Sequence, residues 1–120
     1  ILSFTLYSNI IKMNALECDN VHAQDPLTGR NALHNAAFFG HLNVVQFLVN
    51  EMKMNPDIKD KQGDLPIHDA IRFNHLDVVQ FLGTHTNSRI RNMLGEKPVD
   101  TAISYGNIKM VKYIPERQSL

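Results

Sequence analysis

The amino-acid sequence predicts an all-α solenoid of stacked helix-turn-helix units with projecting hairpin-like turns, and three observations carry that expectation. The first is self-similarity. Segments opening at Gly29, Gly63 and Gly95 follow one pattern at intervals of 34 and 32 residues. A period in this range marks a stack of like units, each burying its apolar face against the next. The second is a small residue at an equivalent place in each copy, Ala36, Ala70 and Ala102, followed by an apolar pair, Val44-Val45, Val78-Val79 or Met110-Val111. The third is the chemistry between copies: segments 50–64 and 83–96 are rich in Asn, Asp, Lys and Gly, the residues that build turns.

The elements follow in order. Residues 1–24 carry the weakest pattern. Moved forward by one period, Ile10 and Ile11 fall on Val44 and Val45, but Asn14 falls on Leu48. The segment reads as a degenerate partial repeat, with a helical cap of other origin as the second reading. The single domain, 1–120, then continues as a repeat over 25–58, a repeat over 59–91, an incomplete terminal repeat over 92–115 and a tail, 116–120. First helices are expected over 32–39, 66–73 and 98–105. Pro66 and Pro98 fall in the first turn, where a missing N–H has no intrahelical partner to lose. Second helices are expected over 42–51, 76–83 and 108–114. Their inward stripes would be Leu42, Val45 and Val49; Leu76, Val79 and Leu82; Ile108, Val111 and Ile114, spaced three and four apart. Gly40 and Gly106 suit the tight turn between paired helices, and Asn74 can adopt the same left-handed backbone. Pro115 ends the last helix.

The copies agree over about a dozen positions. One reads Asn31-Ala32-Leu33-His34-Asn35-Ala36-Ala37-Phe38-Phe39-Gly40-His41-Leu42. The next reads Leu65-Pro66-Ile67-His68-Asp69-Ala70-Ile71-Arg72-Phe73-Asn74-His75-Leu76, and the third Lys97-Pro98-Val99-Asp100-Thr101-Ala102-Ile103-Ser104-Tyr105-Gly106-Asn107-Ile108. Over residues 25–115 this resembles the ankyrin-repeat family, with its Thr-Pro-Leu-His-like helix start, Ala pair, Gly-His loop and Val-Val second helix. Asn31, Leu65 and Lys97 stand where the family has Thr, Asn74 replaces the loop Gly, and Asp100 replaces the His. A narrower stretch, Asn55-Pro56-Asp57-Ile58-Lys59-Asp60-Lys61-Gln62-Gly63 with Pro66 to Val79, resembles the small ankyrin module at the C-terminal end of animal-type glutaminases, the better match covering 31–82. That module is non-catalytic, so the resemblance implies a regulatory or docking part. A full third repeat, Gly95 to Ile114, departs from that arrangement.

Composition excludes several classes of function. Twelve Lys and Arg balance twelve Asp and Glu, with six basic against nine acidic residues over 1–82 and six against three over 83–120. Neither part holds the dense basic cluster of a nucleic-acid surface, so no nucleic-acid partner is expected. No run approaches the ~18 apolar residues of a membrane span. The apolar opening Ile1-Leu2-Ser3-Phe4-Thr5-Leu6 lacks the basic flank and cleavage pattern of a signal peptide. A lone cysteine, Cys18, permits no internal disulfide. These features point to a cytoplasmic or nuclear protein. The chain lacks an initiator Met and starts and stops near repeat material, and a piece of a larger protein is expected.

The chemistry-bearing side chains read as structural. His34 and His68 recur at one place in successive copies, which spreads them along the stack instead of converging them on a metal. Each is expected to hydrogen-bond near its own helix start, with Asp100 as the polar substitute in the third copy. His41 and His75 read the same way at the starts of the second helices. Asp57, Asp60 and Asp64 lack the alternating order of a calcium loop and read as turn-forming, solvated groups. Ser88 and Ser104 have no His and Asp in a triad arrangement. The glycines are single and periodic, not a phosphate cradle. No enzyme activity, cofactor, metal or small-molecule substrate is expected.

What remains is a surface. Residues between the Ala pair and the loop Gly are not needed for stacking. They are Phe38 and Phe39, Arg72 and Phe73, Ser104 and Tyr105. Aromatic and Arg groups anchor protein interfaces because they bury much area at little entropic cost. The competing reading packs the rings within the domain. Turn tips add Leu27, Thr28 and Arg30, then Lys61, Gln62 and Asp64, then Met93, Leu94 and Glu96. The expected function is a non-catalytic protein–protein interaction module that presents its concave face and turn tips to a protein or peptide, including another domain of its parent chain. The alternative is a regulatory or oligomerisation appendage of a larger, glutaminase-like enzyme.

Overall fold

A computed structural model describes residues 22–115, so the readings placed on Ile10, Ile11 and Asn14, on Cys18 and on the tail 116–120 lie outside the described residues. Among the described residues five α-helices and one 3-10 helix follow in order: α1 Ala32–Phe39, α2 Leu42–Asn50, α3 Pro66–Arg72, α4 Leu76–Leu82, α5 Pro98–Ser104 and η1 Ile108–Tyr113. No strand occurs among the described residues. The first helices α1, α3 and α5 pack in sequence as one layer. The second helices α2, α4 and η1 pack as the other. The architecture is the all-α ankyrin-type solenoid that the repeats predict.

Each first helix starts on a local bond that the sequence encodes. Asn31 accepts from the His34 N–H through its side-chain oxygen at 3.0 Å, while its own N–H donates to His34 Nδ1 at 3.3 Å. This is a reciprocal cap with histidine at the third position, where glutamate is more usual. At α3 the cap residue Leu65 has no side-chain acceptor, so only the return bond survives, from the Leu65 N–H to His68 Nδ1 at 3.0 Å. At α5 Asp100 takes that role, accepting from the Lys97 N–H at 3.0 Å.

The first helices end on left-handed residues, Gly40 at φ 73°, Asn74 at φ 64° and Gly106 at φ 73°. Nothing lies within 4 Å of a Cβ added at Gly106. Gly106→Ala therefore isolates the backbone cost, and a loss of about 1 kcal/mol is expected. Urea unfolding checks it, and an unchanged midpoint would mean that the turn relaxes out of this conformation.

The units interlock through hydrogen bonds that recur at each junction. The Lys61 N–H donates to the Thr28 carbonyl at 2.9 Å, and the Met93 N–H to the Gln62 carbonyl at 2.9 Å. His34 Nε2 lies 2.9 Å from the Asp64 carbonyl and His68 Nε2 lies 3.1 Å from the Glu96 carbonyl. Because Nδ1 of each ring accepts a backbone N–H, Nε2 carries the proton and donates. Each imidazole thus ties its own helix start to the following unit. His75 Nε2 reaches the Phe38 carbonyl at 2.9 Å, and Asn107 Nδ2 donates to the Ile71 carbonyl at 2.6 Å in the same fashion.

Ala36, Ala70 and Ala102 are fully buried, as are Val44, Val45, Leu48, Val78, Val79 and Leu82. The expected inward stripes need correction. Leu42 is only partly buried, and Leu76 and Ile108 are 36% and 59% exposed. The buried register is instead the apolar pair plus the Leu that follows it one turn later. Leu42, Leu76 and Ile108 open their helices and lie off that face. The last segment is also not an α-helix. Met110 and Ile114 donate to the carbonyls of Asn107 and Val111, both at 3.1 Å, the i to i+3 pattern of a 3-10 helix. The tighter winding buries Met110 and leaves Val111 only partly covered.

Among the described residues nothing covers the outer side of the third unit. Ala37 and Ile71 are fully buried beneath the following unit, whereas the equivalent Ile103 is 58% exposed. A Cβ added at Gly29 or Gly63 would lie 2.8 Å from the backbone nitrogen of Lys61 or Met93, but at Gly95 it would meet nothing within 4 Å.

Candidate functional site

A cleft of about 480 Å³ runs along the first-helix side of the stack and draws on all three described units. Its size falls in the ~300–1,000 Å³ range of ligand sites. Its floor is a chain of ion pairs. Arg30 donates through Nη1 to Asp60 Oδ2 at 3.2 Å, through Nη2 to Asp69 Oδ2 at 2.8 Å, and through Nε to Asn35 Oδ1 at 3.3 Å. Arg72 donates through Nη1 to Asp64 Oδ2 at 3.1 Å and to Asp69 Oδ1 at 3.4 Å, and through Nη2 to Asp64 Oδ1 at 3.3 Å. Asn92 of the third unit donates to Asp64 Oδ1 at 2.9 Å. One polar chain thus joins the three units.

Burial sets the electrostatics. It pushes the Asp69 carboxyl up to about 6, and the two guanidiniums, Arg30 foremost, pull back without cancelling it. Burial also raises Asp64, but the bonds from Arg72 and Asn92 outweigh it and hold that carboxyl below its ordinary value. Burial lowers Arg72, yet its bond to Asp64 wins and its pKa is raised. Burial lowers both His34 and His68, which keeps the ladder imidazoles neutral.

The wall is aromatic. The Arg30 guanidinium lies over the Phe38 ring and that of Arg72 over the Tyr105 ring, both at 5.6 Å. Phe38 and Phe73 meet at 4.4 Å between centroids. Phe38 is half-buried, while Phe73 and Tyr105 are 45% and 52% exposed.

The structure brings most of the sequence-predicted surface together: Phe38, Arg72, Phe73 and Tyr105 with Arg30, Lys61, Gln62, Asp64 and Leu94. Four residues, Phe39, Ser104, Met93 and Glu96, stand apart from the cleft lining. Phe39 is exposed and stacks on His41 at 6.0 Å. The Ser104 hydroxyl donates to Glu96 Oε2 at 3.4 Å. Met93 is exposed at its turn tip. Asp60 and Asp64 need correction. Asp60 does form its turn, accepting from the N–H groups of Gln62 and Asp64 at 2.9 Å each, but both carboxylates are buried, not solvated. Asp69 and Asn92 join the site without having been read from the sequence. Only Asp69 left a signal, its place three residues before Arg72 on one helix face.

No helix among the described residues is long and apolar enough to cross a membrane. Nor does any group of three or more His, Cys, Asp and Glu among them form a potential metal site.

A sequence profile described as ankyrin repeats (3 copies) matches residues 3–92. The chain belongs to the ankyrin-repeat family. Ankyrin repeats are non-catalytic modules that generally serve protein interaction. This ankyrin chain is also 38% identical over 69 residues to the protein named glutaminase liver isoform, mitochondrial, of Rattus norvegicus. The counterpart in Mus musculus matches at the same identity over the same length. The aligned part is 55% of this chain and 11% of each relative, so the ankyrin chain spans about a tenth of the proteins it matches. Both resemblances drawn from the residues are found in these matches.

Proposed function

We propose that this ankyrin domain is a non-catalytic module that holds a partner protein or peptide on its first-helix face. The observation that carries the reading is the cleft itself. Phe73 and Tyr105 stand half-exposed over a floor of fixed guanidiniums, with Leu27 and Leu94 exposed at the turn tips beside them. Rigid rings beside ordered donors bind at low entropic cost. Phe38 and Arg72 act mainly by fixing this surface, and Phe73 and Tyr105 make the outer contacts. Nucleic acid, membrane and small-molecule substrates have no part in this reading, and the lone cysteine fits a cytoplasmic or nuclear setting.

The test is selection from a phage-displayed library of random peptides on the native chain, compared with a folded Phe73→Ala/Tyr105→Ala variant. Peptides kept by the first and lost by the second are expected. Equal retention by both, or no enrichment on either, would sink the reading.

A second reading follows from the glutaminase match. The domain would serve as a regulatory or oligomerisation appendage of a larger enzyme, in the mitochondrion if the parent resembles those relatives. Self-association would then appear as a concentration-dependent mass in sedimentation equilibrium.

A further inference from the structure

Resting on the peptide-binding reading of the cleft, we infer that its occupant is an uncharged, extended, proline- and aliphatic-rich peptide whose backbone carbonyls accept from Arg30 and Arg72. The argument begins with what the carboxylates can still do. Both oxygens of Asp60 are taken, Oδ1 by the N–H groups of Gln62 and Asp64 and Oδ2 by Arg30. Both oxygens of Asp64 are taken by Arg72, with Asn92 adding to Oδ1. Asp69 gives one oxygen to each arginine. All three are buried. A lysine or arginine side chain of a ligand would find no carboxylate without a partner.

The guanidiniums are different. A guanidinium has five N–H donors. Arg30 spends three, on Asn35, Asp60 and Asp69, and Arg72 spends three, two on Asp64 and one on Asp69. Each keeps donors to spare, and each side chain keeps some access to solvent, 21% for Arg30 and 17% for Arg72. The cleft therefore offers donors, while its carboxylates, each bonded to an arginine and buried, leave little for a ligand's cation to reach.

Net charge decides what kind of acceptor fits. Asp60, Asp64 and Asp69 are matched by Arg30, Arg72 and the rim residue Lys61, whose Nζ is held on the Pro26 carbonyl at 2.7 Å. The cleft is electroneutral. A carboxylate or phosphate would gain no net attraction and would meet buried carboxylates directly behind the guanidiniums. A neutral carbonyl meets the same donors without that repulsion.

Extended peptide carbonyls supply such acceptors. A polyproline II segment has no internal hydrogen bonds, so its carbonyls stay available, and its ordering cost is already low. Its ring and aliphatic side chains suit an aromatic wall. Here the wall is Phe38, Phe73 and Tyr105, with Phe38 and Tyr105 already held by the same two arginines.

The experiment sequences the library pool that the native chain keeps and the folded Phe73→Ala/Tyr105→Ala variant loses, then titrates one labelled member by fluorescence polarisation. Enrichment of proline and aliphatic residues is expected, with Asp, Glu, Lys and Arg depleted at the centre. A central Glu or a central Lys should each weaken the peptide by tenfold or more. A pool enriched in acidic or basic residues, or charged variants that bind as well as the parent peptide, overturns the inference and leaves the peptide-binding reading standing. An empty pool overturns both.

Discussion

Replacing His68 with Ala is expected to cost about 3 kcal/mol, because a buried backbone N–H and a part-buried carbonyl lose their partner at once. The side chain is fully buried. Its Nδ1 takes the Leu65 N–H at 3.0 Å and its Nε2 donates to the Glu96 carbonyl at 3.1 Å, across a unit boundary. A buried polar group left without a partner costs about 1–3 kcal/mol, and the vacated volume adds a cavity term. A domain of this size has only ~5–15 kcal/mol of net stability, so the loss should be visible in any unfolding curve.

The same residue gives the domain an acid limit. Burial holds His68, and likewise His34, below the ordinary value of 6.5. Below pH 6.5 the unfolded chain takes up protons that the folded chain refuses, so stability rises with pH through that window. The histidine contribution is complete above about pH 6.5 and is lost as pH falls. Asp69 works in the opposite sense. Its folded value of about 6 exceeds the ordinary 3.8, so the folded state binds the extra proton between those values and its stability share grows as pH falls. Urea unfolding at pH 7.5 and 5.5 should show native stability falling with acid, and falling less in the His68→Ala variant. An identical pH dependence in the two proteins would mean that His68 titrates normally.

Ala70→Leu should be comparably damaging by a different route. Ala70 is fully buried on α3, the middle helix of the inner layer, between α1 and α5. Three added carbon atoms must displace neighbouring groups at this fully buried position, and overpacking of this kind costs about 1–3 kcal/mol, at times more. A domain of this length loses roughly 4–8 °C per kcal/mol, so a midpoint about 10–20 °C lower is expected by circular dichroism. Because α3 packs against both neighbouring first helices, the damage should spread to the whole array. An unchanged midpoint would show that the stacking face lies elsewhere.

The stack was legible because its determinants are local and periodic. Ala36, Ala70 and Ala102, the apolar pairs and the left-handed turn at Gly40, Asn74 and Gly106 all announce themselves within a few residues. The second-helix register was less so. In helices as short as Leu76–Leu82, an apolar residue at the first position fits a three-and-four pattern without facing the core. The 3-10 winding of η1 has no signature in its side chains. The ion-pair floor was hidden by sequence distance, Arg30 reaching 30 residues to Asp60 and 39 to Asp69. A single sequence carries no mark of such pairings. Phe73 and Tyr105 showed through because they hold equivalent places in successive copies, whereas Phe38 holds the place of Arg72 and their true counterpart, Phe39, stands outside the cleft. The ring exposures did not, since they depend on contacts between units such as that of Phe38 with Phe73.

The outer side of the third unit, uncovered among the described residues, has a consequence for construction. Leu94 holds the place whose carbonyl, in Thr28 and Gln62, receives the next turn's N–H, and Ile103 holds the place of the covered Ala37 and Ile71. Within the described residues that edge repeats the pairing groups of the first two junctions, so a further module of the same pattern can stack on it. That module would need a turn N–H aimed at Leu94, a His or Asn opening its second helix, and an apolar first helix laid over Ile103. The rules for lengthening this protein are those its first two junctions already obey.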